Sequence, residues 1–245
     1  MAAHSSLTSD PSPRSALVPS PRGLSGVAAA AGLGAGALAL VLLVGVFAGP
    51  GPFAIDRALL LALRRPGDPA TPIGPAWLLP AMRDVTALGG PTVLTLVVIA
   101  VTGLLLVVHR RRTAMLLLAA TISGAALVAL VKGHVGRARP EIVPHLVDAT
   151  GRSFPSGHST DSAVVYLTMA ALAARLVTTR AARGYVVGLA VALVGAIGVS
   201  RVYLGVHWPS DVATGWSVGT LWALGWWRLG AVWDASELRG SRTNR

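Results

Sequence analysis

The 245-residue chain contains no cysteine, which excludes disulfides, thiolate metal sites and a cysteine nucleophile. Charge is also scarce. Only 13% of residues are Asp, Glu, Lys or Arg, about half of the roughly 25% found in ordinary globular chains. Hydrophobic residues make up 53%, and mean hydropathy is +0.64. That balance excludes an ordinary soluble domain and indicates a polytopic membrane protein. Acids are the rarer charge, ten against 21 basic residues, and Lys132 is the only lysine. No carboxylates pair at metal-ligand spacing, so neither a metal nor another cofactor is expected. A net charge of +11 in a soluble chain would point to nucleic acid. Here most arginines flank apolar segments, so the excess reads as topology and no nucleic-acid partner is expected.

Residues 1–23 are rich in Ser and Pro and read as a disordered cytoplasmic tail. An apolar run from Leu24 to Ala48 is too long for a signal-peptide core and reads as a first membrane span. The pieces Phe53–Leu63 and Trp77–Leu88 are too short to cross and fit interfacial or re-entrant helices. Five further spans are predicted at about 91–108, 113–131, 159–177, 184–200 and 212–230. The expected fold is therefore all-α: six transmembrane helices with short interfacial helices, a membrane domain over 24–230 and a cytoplasmic tail over 231–245. Twelve of the 21 basic residues fall inside if the N-terminus is cytoplasmic, including the Arg110–Arg112 triplet between two close spans. That bias places both termini in the cytoplasm. Glycine pairs four apart, Gly32 with Gly36, Gly184 with Gly188 and Gly215 with Gly219, read as close bundle packing rather than a dimer interface. The Trp-rich stretch Trp216–Trp233 reads as lipid interface and bundle packing.

Polar residues gather on the outer side in two stretches, 132–158 and 200–211, at the ends of the last four spans. Lys132, Arg139 and Arg201 supply three cations suited to a tetrahedral oxyanion. Ser156, Gly157 and His158 immediately precede a helical run, so their backbone N–H groups lie at a helix N-terminus, a ready anion site. His207 and Asp211 are four apart on one face of a first helical turn. An aspartate accepting from Nδ1–H leaves Nε2 basic, which makes His207 a candidate nucleophile. His158, on another helix end, is left as general acid and later base. Arg137 and Arg152 read as loop residues or headgroup contacts, His134 and His145 as loop residues, and Asp161 as support for the helix dipole. The other acids, Asp56 among them, look scattered.

These residues form three blocks in order: Lys-x6-Arg-Pro, Pro-Ser-Gly-His and Ser-Arg-x5-His-x3-Asp, spanning Lys132 to Asp211. The chain thereby resembles the type 2 phosphatidic acid phosphatase superfamily, and all three blocks match without a substitution. The resemblance implies a metal-independent phosphatase acting on membrane lipid phosphates, such as undecaprenyl diphosphate, phosphatidate or phosphatidylglycerol phosphate, at the extracytoplasmic face. It implies a phosphohistidine at His207, oriented by Asp211, with His158 protonating the leaving group. It also implies phosphate binding by Lys132, Arg139, Ser156, Gly157 and Arg201. A lipid phosphotransferase and a non-catalytic lipid-phosphate binder or transport component are the alternatives.

Overall fold

The computed structural model describes residues 51–243; the tail expected at 1–23 and the first span expected at 24–48 lie outside them. The described chain is mostly helical. It runs α1 (Ala54–Ala62), α2 (Leu78–Ala87), α3 (Pro91–Val107), α4 (Arg111–Val135), α5 (Gly157–Ser162), a π-helical stretch over Ala163–Leu167, α6 (Thr168–Ala173), α7 (Arg180–Tyr203) and α8 (Pro209–Thr243).

Helix boundaries follow local chemistry. Pro91 starts α3 behind Gly90, where a missing N–H costs nothing. Gly136, at φ 65°, ends α4 in the left-handed conformation that glycine adopts freely. The Thr179 hydroxyl accepts from Ala182 N–H at 3.2 Å and caps α7. Pro209 opens α8, and Asp211 reaches back to accept from Trp208 N–H at 2.9 Å, half of a capping box.

Helix α3 coincides with the span expected at 91–108, and α4 and α7 extend a few residues beyond those expected at 113–131 and 184–200. Helix α8 contains 212–230 but runs on to Thr243, through most of the segment expected as a C-terminal tail. Helices Arg111–Gly133 and Arg180–Tyr203 are each long and apolar enough to cross a membrane. The pair α2 and α3, bent by 50° at Gly89–Gly90, passes together as a third. The segment expected at 159–177 is instead divided by the π-helical stretch into short pieces ending at Ala173. Side chains such as Leu96, Ile99, Ile122, Leu130 and Leu189 are exposed on α3, α4 and α7, as expected of faces meeting hydrocarbon.

The expectation of helices alone is corrected by a small antiparallel hairpin, β1 (Arg64–Arg65) with β2 (Asp68–Pro72). It turns at Gly67, φ 81°, and is too short and proline-interrupted to carry a two-residue alternation. Two of the buried clusters sit at one end of the bundle. One joins Leu60, Val143, Val202, Trp208 and Val212; another joins Tyr203, Leu204 and Val206 to Leu78, Leu79 and Met82. They fix α1, α2 and the 136–156 loop against the α7–α8 junction, where the polar residues converge.

Candidate active site

His207 lies in the short α7–α8 connection and is 1% exposed; Asp211, one turn into α8, is fully buried. Their spacing puts His207 Nδ1 3.5 Å from Asp211 Oδ2. On the far side of the ring, Arg139 Nη1 lies 3.2 Å from Nε2. A guanidinium can only donate, so Nε2 carries the lone pair and Nδ1 the proton. The aspartate is itself held: Trp208 N–H and the Ser153 hydroxyl donate to Oδ2, and Arg137 donates to Oδ1 at 2.8 Å. Ser153 Oγ also lies 3.4 Å from His207 Nδ1. Burial pulls the His207 pKa down to about 4, outweighing the raising effect of the Asp211 hydrogen bond. The ring is therefore neutral at ordinary pH.

The cations gather around the two histidines. Arg139 anchors its guanidinium on three carbonyls, Val206 at 2.7 Å, Thr150 at 2.8 Å and Gly151 at 3.1 Å. Burial lowers its pKa, with Asp211 opposing the shift, yet an arginine stays charged. Arg201, at the end of α7, donates to the Thr86 hydroxyl at 3.0 Å. Its buried Nε has no hydrogen-bond partner among the described residues, a donor set that suits an anion. Lys132, in the last turn of α4, faces the start of α5: a Cβ added to Gly157 would sit 3.5 Å from Lys132 Nζ and 3.7 Å from Asp161 Oδ2.

Helix α5 begins at Gly157 with Ser156 as N-cap, and no side chain caps it. Ser156 N–H donates to the Asp211 carbonyl at 3.1 Å, tying the two motif blocks together. Its hydroxyl accepts from Ser159 at 3.0 Å. His158 sits under the α2–α3 bend, where a Cβ at Gly90 would lie 3.7 Å from its Nε2. It is close enough to Arg201, His207, Lys132 and Arg139 to feel all four charges or dipoles. The structure thus brings all eight sequence-selected residues together. Such an assembly can neutralise a phosphate, present a basic nitrogen to it and offer a second imidazole for proton transfer.

Comparison with known proteins agrees. Residues 113–233 match the profile of the PAP2 superfamily. Phosphatidylglycerophosphatase B of Bacillus subtilis is 30% identical over 148 residues, which cover 59% of this chain and 71% of that protein. The chain belongs to the PAP2 superfamily. Decaprenylphosphoryl-5-phosphoribose phosphatase of Mycobacterium tuberculosis is 35% identical over 97 residues, 38% of this chain and about half, 48%, of that protein. Among solved structures, the transmembrane PAP2-type phosphatidylglycerolphosphate phosphatase from Bacillus subtilis superposes with a TM-score of 0.67 at 26% identity. That match covers 80% of this chain and 94% of that one.

All three motif blocks lie inside the span that matches the PAP2 superfamily. Some of their neighbours depart from the sequence reading, while His145 and Arg152 keep it. Arg137, expected in solvated loop or at a headgroup, is 4% exposed and ion-paired to both Asp56 and Asp211. Asp56, read as one of the scattered acids, is fully buried. Asp161 lies beside Lys132 rather than serving only the helix dipole. His134 falls within α4 rather than a loop. His145 is tied to the Pro140 carbonyl at 2.7 Å, inside the 136–156 loop. Arg152 is exposed. Ser153 and Thr86 carried no sequence signal, because a lone hydroxyl beside a motif is indistinguishable from a loop residue. Among the described residues no three His, Asp or Glu side chains cluster as a metal site.

Proposed function

We propose that this protein is a membrane lipid phosphatase that removes phosphate from a lipid mono- or diphosphate through a phosphohistidine on His207. The observation carrying this is the His207 ring, held by Asp211 at Nδ1 with its basic Nε2 turned toward Arg139. Arg139 exchanges its contact with Nε2 for a phosphate oxygen as substrate binds. Nε2 then attacks the terminal phosphorus and its bond to the leaving oxygen breaks, that oxygen being the lipid's in a monophosphate and the bridging one in a diphosphate. His158, protonated as the phosphate brings its negative charge into the site, gives that oxygen its proton. Lys132, Arg139, Arg201 and the N–H groups at the start of α5 take up the charge on the phosphoryl oxygens. Asp211 stabilises the imidazolium character that grows on the ring. In the second half, His158 takes a proton from water as water attacks phosphorus and the P–N bond breaks, releasing inorganic phosphate and restoring Nε2. No cofactor enters either step.

An apolar groove of about 310 Å³ supports a lipid substrate. It is lined by Leu94 and Val98 of α3, Leu118 of α4 and Val165, and it reaches Asp161 beside Lys132. The relatives named above, with phosphatidylglycerophosphate- and polyprenyl-type names, favour the same class. We assign the protein six crossings over 24–230, both termini in the cytoplasm and the catalytic end on the extracytoplasmic face, in keeping with the arginine bias.

The test is phosphate release by purified protein in detergent from phosphatidate, phosphatidylglycerol phosphate and undecaprenyl diphosphate, with and without EDTA. Activity survives EDTA, is blocked by vanadate and disappears in His207→Ala. Full activity in that variant would sink the mechanism, and transfer of the phosphoryl group to an added alcohol in place of phosphate release would make the protein a transferase. A C-terminal tag reachable from outside intact cells overturns the orientation.

A further inference from the structure

Behind Asp211 lies a second carboxylate that neither the motif blocks nor the proposed chemistry uses. Asp56, on α1, is fully buried and accepts four hydrogen bonds: Phe53 N–H at 3.0 Å, Ser210 N–H at 2.8 Å, Ser210 hydroxyl at 2.7 Å and Arg137 Nη2 at 2.9 Å. Arg137 spans the gap. Its Nη1 donates to Asp211 Oδ1 at 2.8 Å and to Ser210 Oγ at 2.7 Å, and its Nη2 donates to the Gly51 carbonyl at 3.1 Å. The guanidinium lies 5.6 Å from the Phe53 ring centroid. The order in space is Asp56, Arg137, Asp211, His207.

Charge decides what this row does. A buried guanidinium alone against Asp211 would draw the aspartate's negative charge away from the ring and weaken its hold on a forming imidazolium. Asp56, on the opposite side of the same guanidinium, offsets that cation, so the three groups sum to one negative charge, with Asp211 facing His207. Removing one partner of such a buried set leaves an uncompensated charge, which acts directly on the nucleophile's orienting group.

We propose that Asp56 and Arg137 are positioning residues for the His207–Asp211 pair, with Asp56 holding the Arg137 cation so that Asp211 keeps its charge for the ring. Helix α1, outside all three motif blocks, thereby becomes part of the active site. The inference rests on His207 as the nucleophile.

The test uses the full chain in detergent and whichever of phosphatidate, phosphatidylglycerol phosphate or undecaprenyl diphosphate the unaltered protein hydrolyses fastest. Asp56→Asn, nearly isosteric, lowers kcat about tenfold or more with KM within about twofold, because the phosphate-binding cations are untouched. The double variant Asp56→Asn with Arg137→Met removes both charges and recovers kcat at least about threefold over Asp56→Asn, the non-additivity expected of a coupled charge row. A merely structural role predicts the reverse, a double variant no better than the worse single one. That result, an effect confined to KM, or an unchanged kcat in Asp56→Asn overturns the inference. If Asp56→Asn does not fold, as judged by size exclusion and thermal unfolding, Arg137→Lys is read in its place. It keeps the cation but loses the fork, so kcat falls at constant KM, and an unchanged kcat overturns the inference. An active His207→Ala breaks the underlying reading; an inactive His207→Ala beside a fully active Asp56→Asn breaks only this inference.

Discussion

His207 and His158 line the same site, and the walls that carry them are assembled differently. On the His207 wall, Asp211 takes up hydrogen bonds from Ser153, Trp208 and Arg137, while Arg139 is tied to three backbone carbonyls. On the His158 wall, the described residues give its ring no hydrogen bond, Arg201 has one polar contact, to Thr86, and Arg201 Nε is buried without a partner. On the first wall most donors and acceptors are partnered within the protein and aimed at one imidazole, although Arg137 Nε, like Arg201 Nε, is buried without a partner among the described residues. The second presents donors whose natural complement is an anion. The difference separates the groups that hold the His207 ring from those that present open donors, and it ranks the consequences of changing them.

The largest effect is expected from Asp211→Asn. An amide can donate where the carboxylate accepts, so the ring loses its fixed tautomer and the negative charge that supports it. Turnover falls by about 10⁴-fold, as in other histidines deprived of their orienting aspartate, with KM nearly unchanged. Initial rates of phosphate release from the preferred lipid check it. A fall below about tenfold would mean that the His207 wall is less decisive than its geometry implies.

On the other wall, His158→Ala costs about 10²-fold, the lower end of general acid catalysis, when the leaving group is a lipid alkoxide. The loss shrinks to a few-fold with p-nitrophenyl phosphate, whose leaving group needs no proton. An equal loss with both substrates would move His158 from proton transfer to phosphate binding.

A smaller effect separates the walls by pH. His207 Nε2 is available only when the ring is neutral, and burial has lowered its pKa to about 4. The acid limb of kcat/KM assigned to this ring therefore lies near pH 4 rather than near the unperturbed 6.5 or so, and only about a tenth of the rate is lost to it at pH 5. Stability shares the sign: the unfolded chain binds the proton first, so stability is complete above about 6.5 and declines as pH falls toward 4. A pH profile in Asp211→Asn sharpens the assignment, since the hydrogen bond to Asp211 raises this pKa and its loss shifts the limb lower.

The motif residues were legible because their chemistry repeats at fixed spacing: His207 and Asp211 one turn apart, Ser156 and Gly157 just before an apolar run, Lys132 as the only lysine. The spans at 91–108, 113–131 and 184–200 were legible for the same reason, since an apolar run has to reach across the bilayer. What stayed hidden depends on distance along the chain. Asp56 and Arg137 are 81 positions apart, and nothing local to either distinguishes a buried ion pair from two solvated loop charges. The hairpin at 64–72 was hidden because two- and five-residue strands carry no usable period. The π-helical stretch at Ala163–Leu167 was hidden because its sequence, AVVYL, reads equally well as regular helix.

The glycine pairs show the limit of spacing alone and give the smallest effect. Gly184 with Gly188 and Gly215 with Gly219 share one spacing, yet a Cβ at Gly184 or Gly188 would meet nothing within 4 Å among the described residues. A Cβ at Gly215 would meet Ser159 Cβ at 2.8 Å, the Ser156 carbonyl at 2.9 Å and Thr160 Oγ1 at 3.0 Å. Gly215 therefore sets how closely α8, carrying Asp211, approaches α5, carrying His158. Gly215→Ala forces those helices apart and lowers stability by about 1–3 kcal/mol, the usual cost of overpacking. Gly184→Ala, in open space on a helix, is neutral or stabilising by up to about 1 kcal/mol. Thermal unfolding of both variants in the same detergent measures the contrast. Because the Ser156 carbonyl is backbone and cannot rotate away, the strain at Gly215 falls on the spacing of the two walls. Its residual activity should then decline more with the lipid alkoxide, which needs His158 in reach, than with p-nitrophenyl phosphate.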